Sequence, residues 1–544
     1  MEQSEVLTHA GYPNPHRGAD ELREEALRRI QVDKAVRTGA DEDLQDPDEQ
    51  RKLMEAAAAK AADAAVAMAL EDQVLSKQVL WQKAFITEMA KQKNAMLQTE
   101  ALPESESETS EDPMEVLKQL LESVAPCTST YPVSVSQSTD RQRVDGKADR
   151  WTPLKGQQLL VKPATEEDCI LLVANALMTP ESDREESHWL LRRDGKSISS
   201  SFSSYSRQRS WSHHICLPWM DQPLKRAELE YQVVAHAGRE ASHFVVGEKK
   251  ERRQIFGLTL PVHQVSWVED DEVLSLPPGP WRDVNGLHEV ITTLPGDRVL
   301  VVCTMHYTAN WSSELNRGRF TVVRDDLGLD GLADRGLQSV RSLGPSQPRT
   351  MIMATVDEPP PGPHLYRARA ALTTGEESGV SLTLQGERQL TLIRLPGNLV
   401  TGPMRPIEPV EIHDGTWTEI PGMFASCSLR RPRDRVLLVY HIDCNPQDYF
   451  YEAHFTIFRR KEGAISSDQN LGFSEEFGLD MVFSDYGASS EYPAGLLIDT
   501  PGSQGPWTYY LAARVANLGT TSENPSVVVG YSGSLFGMVL SASR

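Results

Sequence analysis

Three tryptophans, Trp151, Trp281 and Trp417, are each followed five residues later by glycine, at Gly156, Gly286 and Gly422, and sixteen or seventeen residues later by an aspartate that opens an apolar run. A signature recurring at offsets of 130 and 136 residues means that most of the chain is one domain written three times. Asp168 leads into Cys169-Ile-Leu-Leu-Val, Asp297 into Arg298-Val-Leu-Val-Val and Asp434 into Arg435-Val-Leu-Leu-Val, runs of buried-strand character. An aromatic then starts a second strand at Trp189, Phe320 and Phe455, which puts Arg193, Arg324 and Arg459 in register. An Asp-x-Pro turn recurs at Asp221, Asp357 and Asp499, followed by Tyr231, Tyr366 and Tyr510 at the head of another strand. Each copy closes on a short apolar strand, at Ile255, Leu390 and Leu535.

The 544 residues exceed what one core sustains, and three copies of about 130 residues after an N-terminal third fit that bound. A formal net charge of -22 argues against a grip on phosphate backbones, so no nucleic-acid partner is expected. No run reaches the roughly 20 apolar residues of a membrane span, and the opening Met-Glu-Gln-Ser-Glu lacks the features of a signal peptide. The expectation is a soluble, cytoplasmic protein. Six cysteines without a Cys-x-x-Cys pair read as reduced, buried apolar residues: Cys169 and Cys303 at the repeated strand, Cys444 after it, Cys127 in a linker.

Residues 1–102 read as an α-helical anchor. From Pro47 to about Gln98 there is no glycine and no second proline, which predicts an extended helix over 47–98. Its apolar face carries Leu75, Leu80, Trp81, Phe85, Ile86 and Met89 as partner-binding anchors, for another protein or for the chain's own domains. The heptads are too irregular to favour a coiled coil. Residues 103–145 read as an acidic, serine-rich linker with a short helix at 114–124, and the repeats follow at 146–265, 266–400 and 401–544.

Inside each repeat, short apolar strands alternate with Gly, Pro, Asp and Ser clusters, so the fold class is mainly β: three tandem sandwiches of eight to ten strands behind a helical N-terminal region. Arg435-Val-Leu-Leu-Val-Tyr-His-Ile442, Phe455-Thr-Ile-Phe-Arg-Arg-Lys-Glu-Gly463, Trp507-Thr-Tyr-Tyr-Leu-Ala-Ala513 and the aromatic-glycine ending Gly533-Ser-Leu-Phe-Gly-Met-Val-Leu540 resemble strands of the jelly roll of the tumour necrosis factor and complement globular-head superfamily. The resemblance covers about 390 residues as three copies. The second copy departs from it, ending Leu390-Thr-Leu-Ile-Arg-Leu395. Members of that family assemble as trimers of separate chains and are generally secreted or membrane-tethered. Three such units on one chain therefore imply an intramolecular pseudo-trimer, the competing arrangement being three domains in a row.

The chemistry-bearing residues point away from catalysis. His213, His214, His306 and His441 share no register, as a zinc site would need. Asp221, Asp357 and Asp499 read as turn formers rather than calcium ligands, and Arg193, Arg324 and Arg459 as partners of the domains' own carboxylates. No phosphate loop, Gly-x-Ser-x-Gly or His-Glu-x-x-His occurs, and no cofactor is expected. Trp151, Trp281 and Trp417 read as core or strand-edge anchors. Copies that diverge at 197–210 and 326–348 suggest that each meets a different neighbour. The reading is a structural or adaptor subunit of a large intracellular assembly, with a cytoskeletal or axonemal complex suited to the long rod. The alternatives are a carbohydrate- or ligand-binding head and an enzyme with a site formed by one repeat.

Overall fold

Each glycine of the signature lies at positive φ, +67° at Gly156, +79° at Gly286 and +86° at Gly422, a region that other residues enter only at a cost. In this computed structural model the strand around each glycine slips register against its neighbour, between Pro153 and Gln158, Asp283 and His288, and Glu419 and Phe424. The signature is thus a β-bulge. A Cβ on these glycines would stand 2.2 Å from Ser138, 2.7 Å from Asp270 and 2.6 Å from the Arg405 carbonyl, atoms at or just beyond the end of each repeat's first strand. The aspartates close the turn that follows: Asp168 accepts the Ala164 and Thr165 amides, Asp297 that of Leu294, and Asp434 those of Arg430 and Arg431. The three tryptophans are half-buried, at or beside the start of the bulged strand. Trp281 and Trp417 lie so close over Gly336 and Gly478 that a Cβ there would stand 2.8 Å from the indole.

The structure describes residues 131–540, apart from short stretches that include 207–212, 341–348 and 485–492. The helix expected at 47–98 and its anchors Leu75, Leu80, Trp81, Phe85, Ile86 and Met89 lie outside the described residues, as does Cys127. The chain is mainly β, in antiparallel sheets. In the first repeat one sheet runs Val133–Ser138, Arg253–Leu260, Cys169–Pro180, His213–Asp221, and the other Thr152–Val161, Leu229–Ala237, Glu185–Arg193, Phe202–Ser206. The second and third repeats keep both orders, with Arg298–Asn310 and Arg435–His441 in the place of Cys169–Pro180. The closing strand Arg388–Leu395 keeps its place although Thr391 stands where the other repeats have Phe256 and Phe536.

One boundary read from sequence moves. Val133–Ser138 and Gln142–Asp145, assigned above to the linker, pair with Arg253–Leu260 and His243–Val246, so the first repeat begins near residue 131. The divergent stretches at 197–210 and 326–348 contain edge strands, Phe202–Ser206 and Gln338–Val340.

Each repeat has its own core between its two sheets. A fourth apolar cluster draws on all three repeats: Leu171, Val173, Phe256 and Leu258 from the first, Leu300, Val302, Val356 and Ile393 from the second, Leu437, Val439, Ile498 and Phe536 from the third. The repeated apolar run is explained by this cluster. Leu172, Val301 and Leu438 face their own repeat's core while Leu171, Leu300 and Leu437 face the common one, so the strand is buried on both sides. We call the sheet that faces the common cluster inner and its partner outer.

Polar side chains stitch two of the seams alike. Gln254 of the first repeat brackets Ile498 of the third, donating to its carbonyl at 2.9 Å and accepting its amide at 3.1 Å. Gln389 of the second does the same to Met220 of the first, at 3.0 and 2.7 Å. Asn175 and Thr304 add equivalent bonds to the carbonyls of Leu496 and Pro218. At the third seam Ser534 occupies the glutamine position, and His441, in register with Asn175 and Thr304, reaches the Leu337 carbonyl at 2.7 Å.

Candidate functional site

The repeated arginines, aspartates and tyrosines were found separately in the sequence, and the fold brings them together. Arg193 donates to both oxygens of Asp221 at 2.7 Å, and the Tyr231 hydroxyl donates to Asp221 at 2.6 Å. Arg324 and Tyr366 meet Asp357 at 2.6 and 2.8 Å. Arg459 meets Asp499 at 2.6 and 2.8 Å, and the third tyrosine is Tyr509, at 3.0 Å, not Tyr510. A slip of one residue along a strand exchanges its faces. The aspartates therefore bind an arginine across the sheets rather than capping their own Asp-x-Pro turn, although Asp357 also accepts the Glu358 amide. Burial foremost, then the neighbouring carboxylate, pushes the phenols of Tyr231, Tyr366 and Tyr509 far up, which keeps them as donors. These triads tie the two sheets of each repeat together, and their carboxylate oxygens are taken up by arginine and tyrosine.

The outer sheets differ where the triads agree. Two residues beyond the bulge glycine stand Gln158, His288 and Phe424; just before the triad arginine stand Arg192, Val323 and Phe458; just after the triad tyrosine stand Gln232, Arg367 and Tyr510. In the second repeat Arg367 and Arg369 hold Asp283 at 2.8 and 2.6 Å and share Asp326. In the third, Phe458 and Tyr510 stack at 5.5 Å with 15° between their planes, Trp417 meets Phe458 at 6.1 Å, and Arg460 and Arg514 lie 5.0 Å from Tyr510 and Trp417. Arg460 also grips Asp468 through two bonds, which holds that carboxyl below its usual range. One domain plan thus carries a polar face, an ion-paired face and an aromatic face.

A cavity of about 260 Å³ opens where the three repeats meet. The same positions of each repeat line it: Phe202, Gln338 and Asp480 from one edge strand, Ile215 and Met351 from the neighbouring inner strand and Pro493 just before it. His214 spans the first and third repeats there, with Nδ1 3.3 Å from Asp480, Nε2 3.2 Å from Asn175 and its ring stacked on Phe473. Beside it, His306 is bonded at both ring nitrogens by hydroxyls, Ser200 and Thr350, each at 2.8 Å. A hydroxyl either donates or accepts, so the neutral ring is fully satisfied.

Burial foremost, then the Arg388 charge, lowers the His306 pKa to about 4. A histidine depressed in the folded state contributes stability that is complete above its unfolded pKa and is lost as pH falls from about 6.5 towards 4. The expected loss across that window approaches about 2–3 kcal/mol. Urea unfolding at pH 7.0 and 4.5 measures it, and His306→Gln should flatten the difference.

Strand pairing also joins Ser203 to His188 at 3.0 Å, and His188 meets Glu186, two residues earlier on its own strand, at 3.2 Å; the sequence reading missed this trio because Ser203 enters it only through cross-strand register. Among the described residues, no group of three or more His, Cys, Asp or Glu is placed to hold a metal ion, and no helix is long and apolar enough to cross a membrane. The five described cysteines are free and buried.

No known protein family matches the chain, and no curated protein matches it. Among solved structures, one of PNGF-II aligns with a TM-score of 0.22 and 9% identity over 48% of this chain and 65% of that one. The N-terminal CBM22-1-CBM22-2 tandem domain of a Paenibacillus barcinonensis protein aligns with a TM-score of 0.15 and 9% identity, over 50% of this chain and 94% of that one. Likenesses this slight carry no argument about function.

Proposed function

We propose that the chain is a non-catalytic structural or adaptor subunit of a large intracellular assembly. On this reading residues 131–540 form three jelly rolls closed around a common axis as an intramolecular pseudo-trimer, and the segment at 47–98 docks that head to its partners. The observation that carries the reading is the apolar cluster shared by all three repeats beneath three unlike outer faces. A common core makes one body of the repeats, and different faces on one body suit several simultaneous neighbours better than one repeated ligand. The Arg-Asp-Tyr triads support a structural role for the most regular polar groups, since their hydrogen bonds close within each repeat. A cytoskeletal or axonemal setting is the assembly we favour for a long anchoring segment.

Affinity capture of the full chain and of a chain lacking residues 1–125 tests the proposal. The truncated chain should lose the assembly while its head stays folded. Retention of every partner would refute the anchoring role. Phe458→Glu should remove a different subset of partners from Arg367→Glu, and identical losses would count against distinct faces.

A further inference from the structure

The third repeat gathers positive charge in one corner of a chain whose formal net charge is -22. Its turn into the inner strand reads Arg430-Arg431-Pro432-Arg433-Asp434, and all three arginines are exposed. The same positions hold Ala164, Thr165 and Glu167 in the first repeat and Thr293, Leu294 and Gly296 in the second. The aspartate that ends each turn caps it in the same way, so the fold requires no cation here. Asp434 is 1% exposed and accepts the Arg430 and Arg431 amides, which holds the turn's backbone. Among the described residues the Arg430 and Arg433 side chains meet no carboxylate. Lys461 comes alongside, where the other repeats have Gly195 and Asp326. Leu429 pairs with Gly505, a Cβ on Gly505 would stand 3.8 Å from the Lys461 Cε, and the Lys461 Nζ donates to Ser503 at 3.1 Å.

We propose that this corner binds an acidic peptide segment of a partner subunit, an inference that rests on the adaptor reading and names the chemistry of one neighbour. Guanidinium groups take carboxylates through paired N–H donors, and successive carboxylates of an extended segment reach successive arginines of one turn. A turn whose backbone is already held loses little freedom when it binds. A broad anionic surface, whether membrane or nucleic-acid duplex, is a poorer match. The strands that follow these turns enter one shared cluster, so the turns lie at one end of the head, and there the first repeat exposes Glu166 and Glu167. Those carboxylates repel a broad anion and leave room for a narrow one.

Fluorescence polarisation of a labelled octaglutamate peptide with the full chain tests this. Binding should be measurable at low salt and weaken as sodium chloride rises from about 50 to about 200 mM. Arg430→Glu combined with Arg433→Glu should weaken it about tenfold or more. Lys225→Glu combined with Arg226→Glu, an equal change of net charge on exposed residues of the first repeat, should leave it within about twofold. Urea unfolding of the free variants separates lost binding from lost fold, and Arg433→Gln, the smallest change, should still weaken binding about threefold. No binding, equal losses in the two double variants, or tighter Arg430-dependent binding of duplex DNA or of phosphatidylserine vesicles would each overturn the proposal. So would binding that appears only once Glu104, Glu106 and Glu108 are replaced by glutamine, since the chain's own acidic run would then be the occupant. Partner capture by the chain lacking residues 1–125 reports on anchoring alone, so either result can fail without the other.

Discussion

Leu437→Asp unfolds the whole head rather than the third repeat alone. Leu437 is 1% exposed on a strand buried on both faces, and its side chain lies in the cluster contributed by all three repeats. The substitution removes a buried leucine and places a carboxylate among apolar groups, which together cost roughly 5 kcal/mol or more. Independent domains would confine that loss to residues 400–540. A shared cluster spreads it, because Leu171 and Leu300 lose the same neighbours. Limited proteolysis and hydrogen exchange distinguish the outcomes: native protection retained in the first two repeats would show that the cluster does not couple them. Leu437→Ala should lower stability by about 3–4 kcal/mol within one cooperative transition.

Asp499→Ala is the second large effect, at about 3–4 kcal/mol. Asp499 is 6% exposed and receives Arg459 and Tyr509 together. Without it a partly buried guanidinium and a fully buried phenol lose their common acceptor, and such groups cost most when only one partner is deleted. Asp499→Asn keeps an acceptor oxygen and should cost about half as much. Chemical unfolding of both variants measures the difference. Alanine at Asp221 or Asp357 should behave alike, since both hold the same two partners.

Much of this architecture was legible because it is local. The tryptophan, glycine and aspartate of the signature correspond to a strand start, a bulge and a turn cap within seventeen residues. The first strand of the first repeat was missed although Val133-Ser-Val-Ser-Gln-Ser138 alternates apolar and polar residues, because serine-rich surroundings read as linker. Phe202–Ser206 gave less to read, since four of its five residues are serine or tyrosine and its place is set by pairing with Glu185–Arg193. The triads were half visible: the registers of the arginines and aspartates were clear, but the third tyrosine was read one residue late, because only pairing across the strands sets Tyr509 opposite Arg459. The cavity was invisible for a different reason. Phe202, Gln338 and Asp480 stand about 140 residues apart and become neighbours only when the three repeats close on one another.

The unequal seams tell what a single chain permits. Were the three units separate identical subunits, any change at the glutamine position would strike every contact around the ring at once, so only changes tolerable threefold would survive. On one chain Gln254 and Gln389 persist while Ser534 and His441 remodel the remaining contact alone. Fusion therefore frees each boundary to drift separately, and it fixes which unit stands beside which, something an assembly of interchangeable parts never specifies.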